Sequence, residues 1–199
     1  MSQTRGRPRK FDETEVLEAA LNVFWLKGYD AASLDDLAKA MGMNRPSIYR
    51  AFGDKEAIFL KTMEVFAQKL EMGFGLTMVG DDDIRTRLKA FLSMALDVYT
   101  GGDMAKGCLI MSTAITAAPE NPKIRELLLS IIRFIDEKMA EAFVQAEALG
   151  QLDCGSISAS SRSALAQSVL HSLALRARAG DDKALLINMI DDGVHMLTA

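Results

Sequence analysis

The sequence lacks the features that mark membrane, secreted and metal-binding proteins. No apolar run approaches the ~18 residues of a membrane-spanning helix, and no hydrophobic stretch follows the basic N-terminus as a secretory signal would require. The two cysteines, Cys108 and Cys154, are too few for a disulfide framework and do not have the spacing of metal ligands. We therefore expect a cytoplasmic protein with reduced thiols, no metal site and no membrane contact.

Catalytic motifs are also missing. The chain contains no HExxH, no GxSxG and no Gly-rich phosphate loop, and its two histidines, His171 and His195, are far from any plausible partner motif. An all-α enzyme is therefore disfavoured, and no cofactor is predicted. With 49% hydrophobic and 25% charged residues, the 199-residue chain has the composition of one large globular domain or two small ones.

Helix signals, by contrast, run from end to end, and no useful length of the chain alternates like a strand. Asp12, Ser33 and Asn44 are N-cap candidates, and Gly28 and Gly42 are natural helix stops. They predict three helices within residues 12–52, of which the third covers about residues 45–52. The second and third are short and joined by about three residues, which is the helix-turn-helix pattern.

The rest of the chain predicts six further helices, for an all-α protein of eight or nine. The fourth helix is expected at Lys55 to about Phe74, followed by a linker candidate at 73–83. The later helices are expected at about Asp82–Thr100, Met104–Ala117, Asn121–Leu149, Ser158–Ala179 and Asp181–Leu197. We place an N-terminal arm and helix-turn-helix domain at residues 1–55 and a larger helical domain at 56–199.

Charge is distributed unevenly, although the formal net charge is only −4. Residues 1–10 contain Arg5, Arg7, Arg9 and Lys10 and no acidic residue. A basic arm on a neutral or acidic body is a common layout for DNA contact. A solubilising tail explains this feature equally well by itself.

Three motifs occur in order within residues 6–60: "AALNVFWLKGYDAASLDDLA", "MGMNRPSIYRAF" and "GDKEAIF". This stretch resembles the tetracycline-repressor-like (TetR) family of bacterial transcription regulators, and "KGCLI" (106–110) and "RARAG" (176–180) resemble features of one branch. The resemblance implies a homodimer with a DNA-binding domain and a larger ligand-binding and dimerisation domain. We expect its partners to be double-stranded operator DNA and a small-molecule effector that releases the protein from DNA.

Within the third helix, Ile48 and Phe52 are expected to face the core and the polar side chains to face DNA. Arg45 is placed to contact a guanine and Lys55 a phosphate. The resemblance implies that Tyr49 contacts the DNA backbone, and Arg50 departs from the residue types common in the family. The predicted DNA-binding residues are Arg5, Arg7, Arg9, Ser33, Arg45, Pro46, Ser47, Tyr49, Arg50 and Lys55.

The larger domain offers only a candidate lining for an effector pocket. Large, soft apolar side chains are spread over its middle helices, and the 12 methionines suit an adaptable cavity for an apolar or aromatic effector. The pocket candidates are Met63, Phe66, Phe91, Met94, Cys108, Met111 and Phe134. Plain hydrophobic core is the alternative for each of them.

Apolar residues recur at four-residue spacing in the last two helices, and these helices would form the isologous four-helix interface between subunits that the resemblance implies. The interface candidates are Leu165, Val169, Leu173, Leu186, Ile190 and Val194. Two alternative functions stay open beside the ligand-controlled repressor. One is an effector-independent architectural DNA-binding protein. The other is a redox or electrophile sensor, in which Lys106 lowers the pKa of the Cys108 thiol.

Overall fold

The computed structural model describes residues 12–101, 106–152 and 157–199, and all regular secondary structure in these ranges is α-helical. The helices are α1 Glu13–Lys27, α2 Leu34–Ala40, α3 Arg45–Phe52, α4 Lys55–Thr77, α5 Ile84–Thr100, α6 Leu109–Ala117, α7 Pro122–Ala148, α8 Ala159–Ala179 and α9 Lys183–Leu197. The all-α prediction is confirmed, with an N-terminal helix-turn-helix domain followed by a larger helical domain. None of the described helices combines the length and the apolar character that crossing a bilayer requires.

The first compact unit is residues 1–65, and its helices begin at the predicted caps. Asp12 accepts a hydrogen bond from the Thr14 backbone N–H at the start of α1, at 2.9 Å. Ser33 and Asp36 form a reciprocal capping box at the start of α2. These side chains satisfy backbone donors that the first helical turn leaves without a partner, so each helix has a defined first residue.

An aromatic cluster forms the centre of this unit. The rings of Phe24 and Phe59 meet edge to face at 5.1 Å between centroids, and those of Tyr29 and Phe59 at 5.0 Å. On α3, Ile48 is fully buried and Phe52 almost so, as the four-residue spacing predicted. The short α3 is therefore fixed by its inner face, and its outer side chains are left in solvent.

The second compact unit is residues 66–199, in which α7 packs on α8, α8 on α9, and α5 against both α8 and α9. The contact between α8 and α9 is close because α9 carries Gly193 there. A Cβ added to Gly193 would lie 3.1 Å from Cγ1 and 3.2 Å from Cγ2 of Val169 on α8. The absent side chain at Gly193 thus sets the approach of the two helices.

Two arginines are buried in this unit. Arg162 donates to the Leu197 carbonyl oxygen at 2.5 Å, and Arg87 donates to the Met78 carbonyl oxygen at 3.0 Å and to Gln145 Oε1 at 3.2 Å. Within the part of the chain that the structure describes, Nε of each arginine and Nη2 of Arg162 have no hydrogen-bond partner. Buried donors of this kind carry a desolvation cost that the observed bonds only partly offset.

Two predicted helix boundaries are corrected, and the predicted domain boundary is not tested. Helix α4 continues to Thr77, so the linker expected at 73–83 begins inside a helix. Helix α6 begins at Leu109 because Gly107 has a φ of +64°, and the Lys106 and Gly107 backbone N–H groups donate to the Tyr99 carbonyl oxygen instead. The compact units divide at 65/66, within α4, and the domain boundary predicted at 55/56 stays a prediction.

Candidate nucleic-acid interface and effector cavity

Helix α3 presents a polar outer face. The side chains of Arg45, Pro46 and Arg50 are exposed, and 52% of Tyr49 is exposed despite its aromatic ring. Ser47 is half-buried, and its backbone N–H donates to Asn44 Oδ1 at 2.9 Å. A helix with this outline can enter the major groove of B-DNA and present its first residues to the base edges.

The guanidinium of Arg45 forms a two-bond ion pair with Asp35, ten residues earlier. Arg45 Nε donates to Asp35 Oδ1 at 2.6 Å, and Arg45 Nη2 donates to Asp35 Oδ2 at 2.5 Å. The guanidinium lowers the pKa of the Asp35 carboxyl below its usual value, and the carboxylate raises the pKa of Arg45. The first turns of α2 and α3 are thereby linked on the exposed surface.

Lys55, predicted as a phosphate contact, is held by its own chain. Its Nζ donates to the Asp30 carbonyl oxygen at 3.0 Å and lies 4.7 Å from the centre of the Tyr29 ring. An ammonium has three donors, so these contacts leave capacity for a phosphate oxygen while fixing where the ammonium lies. The assignment of Lys55 stays a prediction.

The structure does not favour the predicted phosphate contact at Ser33. Ser33 Oγ accepts from the Asp36 backbone N–H at 3.1 Å and donates to Asp36 Oδ2 at 2.7 Å, so its hydroxyl proton is already used. The carboxylates of Asp35 and Asp36 also occupy the first turn of α2, where a phosphate would be repelled. Lys27 and Ser33 both hydrogen bond the carboxylate of Asp36, which lowers its pKa far below the usual range.

The predicted basic arm lies outside the described residues. Arg5, Arg7 and Arg9 therefore stay sequence-based predictions.

In the second unit, a cavity of about 310 Å³ opens between the last turns of α4, the turn that follows them, and α7. Its walls are mainly apolar, with the rings of Phe74 and Phe134 meeting edge to face at 5.7 Å. Its rim is charged, and the Lys138 ammonium there is paired with Glu141 at 2.7 Å. The remaining lining residues are Glu71, Gly75, Met78, Val79, Gly80, Ala142 and Gln145.

A second groove, of about 230 Å³, continues along the same two helices towards Leu127 and shares Phe134. Of the seven predicted pocket residues, Phe134 lines both of these spaces and the other six line neither. Met63, Phe91 and Cys108 are buried in the packing, while Phe66, Met94 and Met111 are half-buried. Several of the predicted pocket residues thus belong to the hydrophobic core. The sequence could not separate the two groups, because large apolar side chains line cores and cavities alike.

Cys108 is not the activated thiol that the sequence suggested. It is buried, and this burial raises the pKa of the thiol, which outweighs the lowering by hydrogen bonds from the backbone of Met111 and Ile110 and from Tyr99. The expectation of a pKa lowered by Lys106 is wrong, because desolvation disfavours the thiolate.

Four of the six predicted interface residues are already buried within the single chain. Their exposed fractions are 0% for Leu173 and Leu186, 1% for Ile190 and 3% for Val194. These side chains face the chain's own helices, so a partner could not reach them, and the assignment of these four is corrected. Leu165 is 48% exposed and Val169 half-buried, and both stay candidates.

The same helices expose other apolar side chains that the spacing argument missed. Leu175 on α8 is 62% exposed, and Leu185 and Met196 on α9 are 48% and 74% exposed. Leu185 and Met196 are eleven residues apart, about three helical turns, and so lie on one side of α9. Periodicity alone could not separate this outward face from the inward one.

The geometry described so far defines a helix-turn-helix protein, and the comparisons with known proteins narrow the class. A family model described as bacterial regulatory proteins of the tetR family matches residues 16–69. A second, described as the tetracyclin repressor-like C-terminal domain, matches residues 85–187, which is about half of the chain.

Individual relatives agree with the family models. The HTH-type transcriptional repressor ComR of Escherichia coli K12 is 25% identical over 153 residues, which are 76% of this chain and 73% of ComR. The repressor BdcR of the same strain is 28% identical over 110 residues, 55% of this chain and 56% of BdcR. A structure of a cysteine mutant of the TetR family regulator CifR, complexed with 26-bp operator DNA, superposes with a TM-score of 0.86 at 26% identity over 95% of this chain and 98% of CifR.

The chain belongs to the TetR family of transcriptional regulators. This class acts by binding DNA and not by catalysis. The resemblance noted in the sequence is thereby confirmed.

Proposed function

We propose that the protein is a homodimeric repressor that a small apolar or aromatic effector releases from operator DNA. The observation that carries the proposal is the two-faced α3, with a buried Ile48 and Phe52 and an exposed outer face that contains Arg45, Tyr49 and Arg50. The names of ComR and BdcR as repressors and the operator complex of CifR support the same reading.

The DNA contacts are proposed to divide between base edges and phosphates. Arg45 lies in the first turn of α3, where a side chain can reach a guanine, and Pro46 and Ser47 lie beside it. Tyr49 and Arg50 extend from the middle of the helix, and Lys55 begins α4. The phosphate contacts supply affinity that depends on salt, and the base contacts supply sequence discrimination.

The cavity bordered by Phe74 and Phe134 is the proposed effector site. About 310 Å³ lies at the small end of ligand pockets, which suits a compact molecule. Its apolar walls favour an uncharged ring or chain, and the Gln145 amide can hold one polar substituent. Lys138 at the rim is paired with Glu141, and Glu71 adds a further negative charge to the lining, which disfavours an anionic effector.

The homodimer is proposed to form through the outward faces of α8 and α9. Leu165, Leu175, Leu185 and Met196 give these helices exposed apolar area that a partner copy would cover. Two helices from each copy would form a four-helix contact with two-fold symmetry.

The function is tested by selecting duplexes from a randomised DNA library with the purified protein and measuring their affinity. Tyr49→Ala is expected to lower the affinity for the selected duplex at least several-fold. The circular dichroism spectrum should not change, since Tyr49 is outside the core. Glu64→Ala, at an exposed position of α4 in the same unit, is the matched control. Failure of the wild type to enrich any sequence would remove the proposal.

The effector role is tested by reciprocity. A compound library is screened by thermal shift, and each hit is then titrated with and without the selected duplex. Effector binding is expected to lower DNA affinity several-fold to about a hundredfold, and DNA must lower effector affinity by the same factor. Phe134→Ala is expected to lower the affinity for the effector. Its affinity for DNA, measured in the absence of effector, is expected to stay the same. Equal effector affinity in both titrations would favour the effector-independent architectural protein.

A further inference from the structure

The ion pair between Asp35 and Arg45 links the first turn of α2 to the first turn of α3 on the exposed face of the helix-turn-helix. Both side chains are largely in solvent, at 72% and 55% exposure, so burial does not account for the pairing. The geometry is a fork, with two parallel N–H···O bonds of 2.6 and 2.5 Å. Two bonds fix the plane of the guanidinium and not merely its distance from the carboxylate.

The edge of the guanidinium that Asp35 uses matters for DNA. Asp35 takes one N–H from Nε and one from Nη2. Three of the five donors of an arginine then remain, on Nη1 and on the outer side of Nη2. That second pair of nitrogens forms another fork, and a fork of this kind matches N7 and O6 of guanine in the major groove.

Asp36, the neighbouring acidic residue, cannot pair with Arg45 in the way that Asp35 does. Asp36 is committed to Lys27 at 2.5 Å and to the Ser33 cap, so its carboxylate is directed back to its own helix and to α1. Asp35 extends from the next position of α2 and reaches α3 instead.

We propose that Asp35 is a positioning residue that aims the free edge of Arg45 at a guanine and so sets the preference at one base pair. The inference rests on the DNA-binding function proposed above. Asp35 immobilises a long, flexible side chain before DNA arrives, so less conformational freedom is lost on binding. Its negative charge also makes Arg45 a poor partner for phosphates, which are the same in every sequence. Both effects favour base discrimination over general affinity.

The test compares wild type with Asp35→Ala, Asp35→Asn and Arg45→Ala on a duplex that the wild type selects from a randomised library. Each protein is titrated with that duplex, with its single-base-pair variants and with a scrambled duplex. Arg45→Ala is expected to lose discrimination of about tenfold at one G·C pair. Asp35→Ala is expected to lose most of it at the same pair while it binds the scrambled duplex as well as wild type or better.

The double variant Asp35→Ala/Arg45→Ala separates positioning from direct contact. If Asp35 acts through Arg45, the double variant is expected to bind each duplex with the same affinity as the Arg45→Ala protein. Asp35→Asn keeps an acceptor oxygen and loses the charge, so its discrimination is expected between those of Asp35→Ala and wild type. Glu64→Ala controls for the loss of one negative charge from the same unit.

Several results would overturn the proposal. Unchanged discrimination in Asp35→Ala would show that Arg45 is aimed without it, and a uniform gain on every duplex would reduce Asp35 to a general repulsive charge. A further loss in the double variant would make Asp35 a direct DNA contact. If the wild type selects no sequence, the proposed function itself fails, and that outcome is distinct from all of these.

Discussion

The two compact units solve the packing of helices differently. The first unit is centred on the rings of Phe24, Tyr29 and Phe59, and its charged side chains pair with each other on the surface. The second unit buries the guanidinium groups of Arg87 and Arg162, some of whose nitrogens have no hydrogen-bond partner among the described residues, and it leaves open space beside Phe134. A core of buried rings in mutual contact suits a unit that must present side chains in fixed positions. Incomplete packing suits a unit that is proposed to admit a ligand.

The largest expected effect sharpens this comparison through two phenylalanines. Phe24→Ala removes a fully buried ring from the aromatic cluster, and we expect it to lower the free energy of unfolding by about 3–5 kcal/mol. Phe134→Ala removes a half-buried ring beside existing open space, so the loss is expected to be less than half as large. Urea unfolding followed by circular dichroism measures both, with Leu26→Ala, at an exposed position of α1, as control. Equal losses would mean that the two units are packed alike.

The outward faces of α8 and α9 provide the next test, since they belong to the second unit alone. A charge at Leu175 would be buried without a partner in the proposed interface, so Leu175→Glu is expected to convert dimer to monomer at micromolar concentration. Analytical ultracentrifugation measures the change. Leu26→Glu places the same charge on an exposed leucine of the first unit and is expected to leave the dimer intact. Dissociation by both variants, or by neither, would remove α8 from the interface.

The charged surface of the first unit leads to a smaller effect. Deleting residues 1–10 removes Arg5, Arg7, Arg9 and Lys10, and it is expected to weaken binding to all DNA sequences by a similar factor. The slope of log K against log salt is expected to flatten by about 0.9 for each phosphate that the arm neutralises. Titrations of one duplex at four salt concentrations give the slope. An unaltered slope would identify the arm as a passive tail.

The smallest effect is expected at Cys108. Its pKa is raised by burial above the ordinary 9.0, so the folded state binds the thiol proton more tightly than the unfolded state does. Stability is therefore unaffected by this group below about pH 9 and decreases as pH rises above that value. Cys108→Ala is expected to reduce that alkaline loss, measured as Tm from pH 7 to 10.5. The effect of oxidants on DNA binding at pH 7 is expected to be the same for wild type and for Cys108→Ser. Release of DNA from the wild type alone would restore the sensor hypothesis.

Much of the first unit could be predicted because its signals are local. The caps at Asp12, Ser33 and Asn44 and the spacing of Ile48 and Phe52 lie within a few residues of the structure that they determine. The pairing of Asp35 with Arg45 was missed for the opposite reason. It joins two surface side chains of different helices, and the only signal available was opposite charge in two consecutive first turns.

In the second unit the unpredictable features depend on packing between distant segments. The stripe of Leu186, Ile190 and Val194 was read correctly as one face of a helix, but its spacing does not reveal whether that face meets the chain's own core or a partner. The cavity beside Phe134 is lined by residues of α4, of the turn after it and of α7, which are far apart in the sequence, so no single segment encodes it. The raised pKa of Cys108 could not be predicted, because proximity to Lys106 in the sequence carries no information about burial.

The glycine at position 193 has a consequence for how the proposed dimer could vary. A methyl group at Gly193 would press on Val169, so α8 and α9 pack closely only because position 193 has no side chain. This close packing also fixes the distance between the apolar side chains on the outer faces of the two helices. Any larger residue at position 193 would move α8 and α9 apart by at least a few tenths of an ångström. The exposed apolar side chains of α8 would then shift relative to those of α9. The residue at position 193 thus controls the spacing of the apolar side chains on the outer faces of α8 and α9, and a substitution there would change the fit between two copies without replacing an exposed side chain.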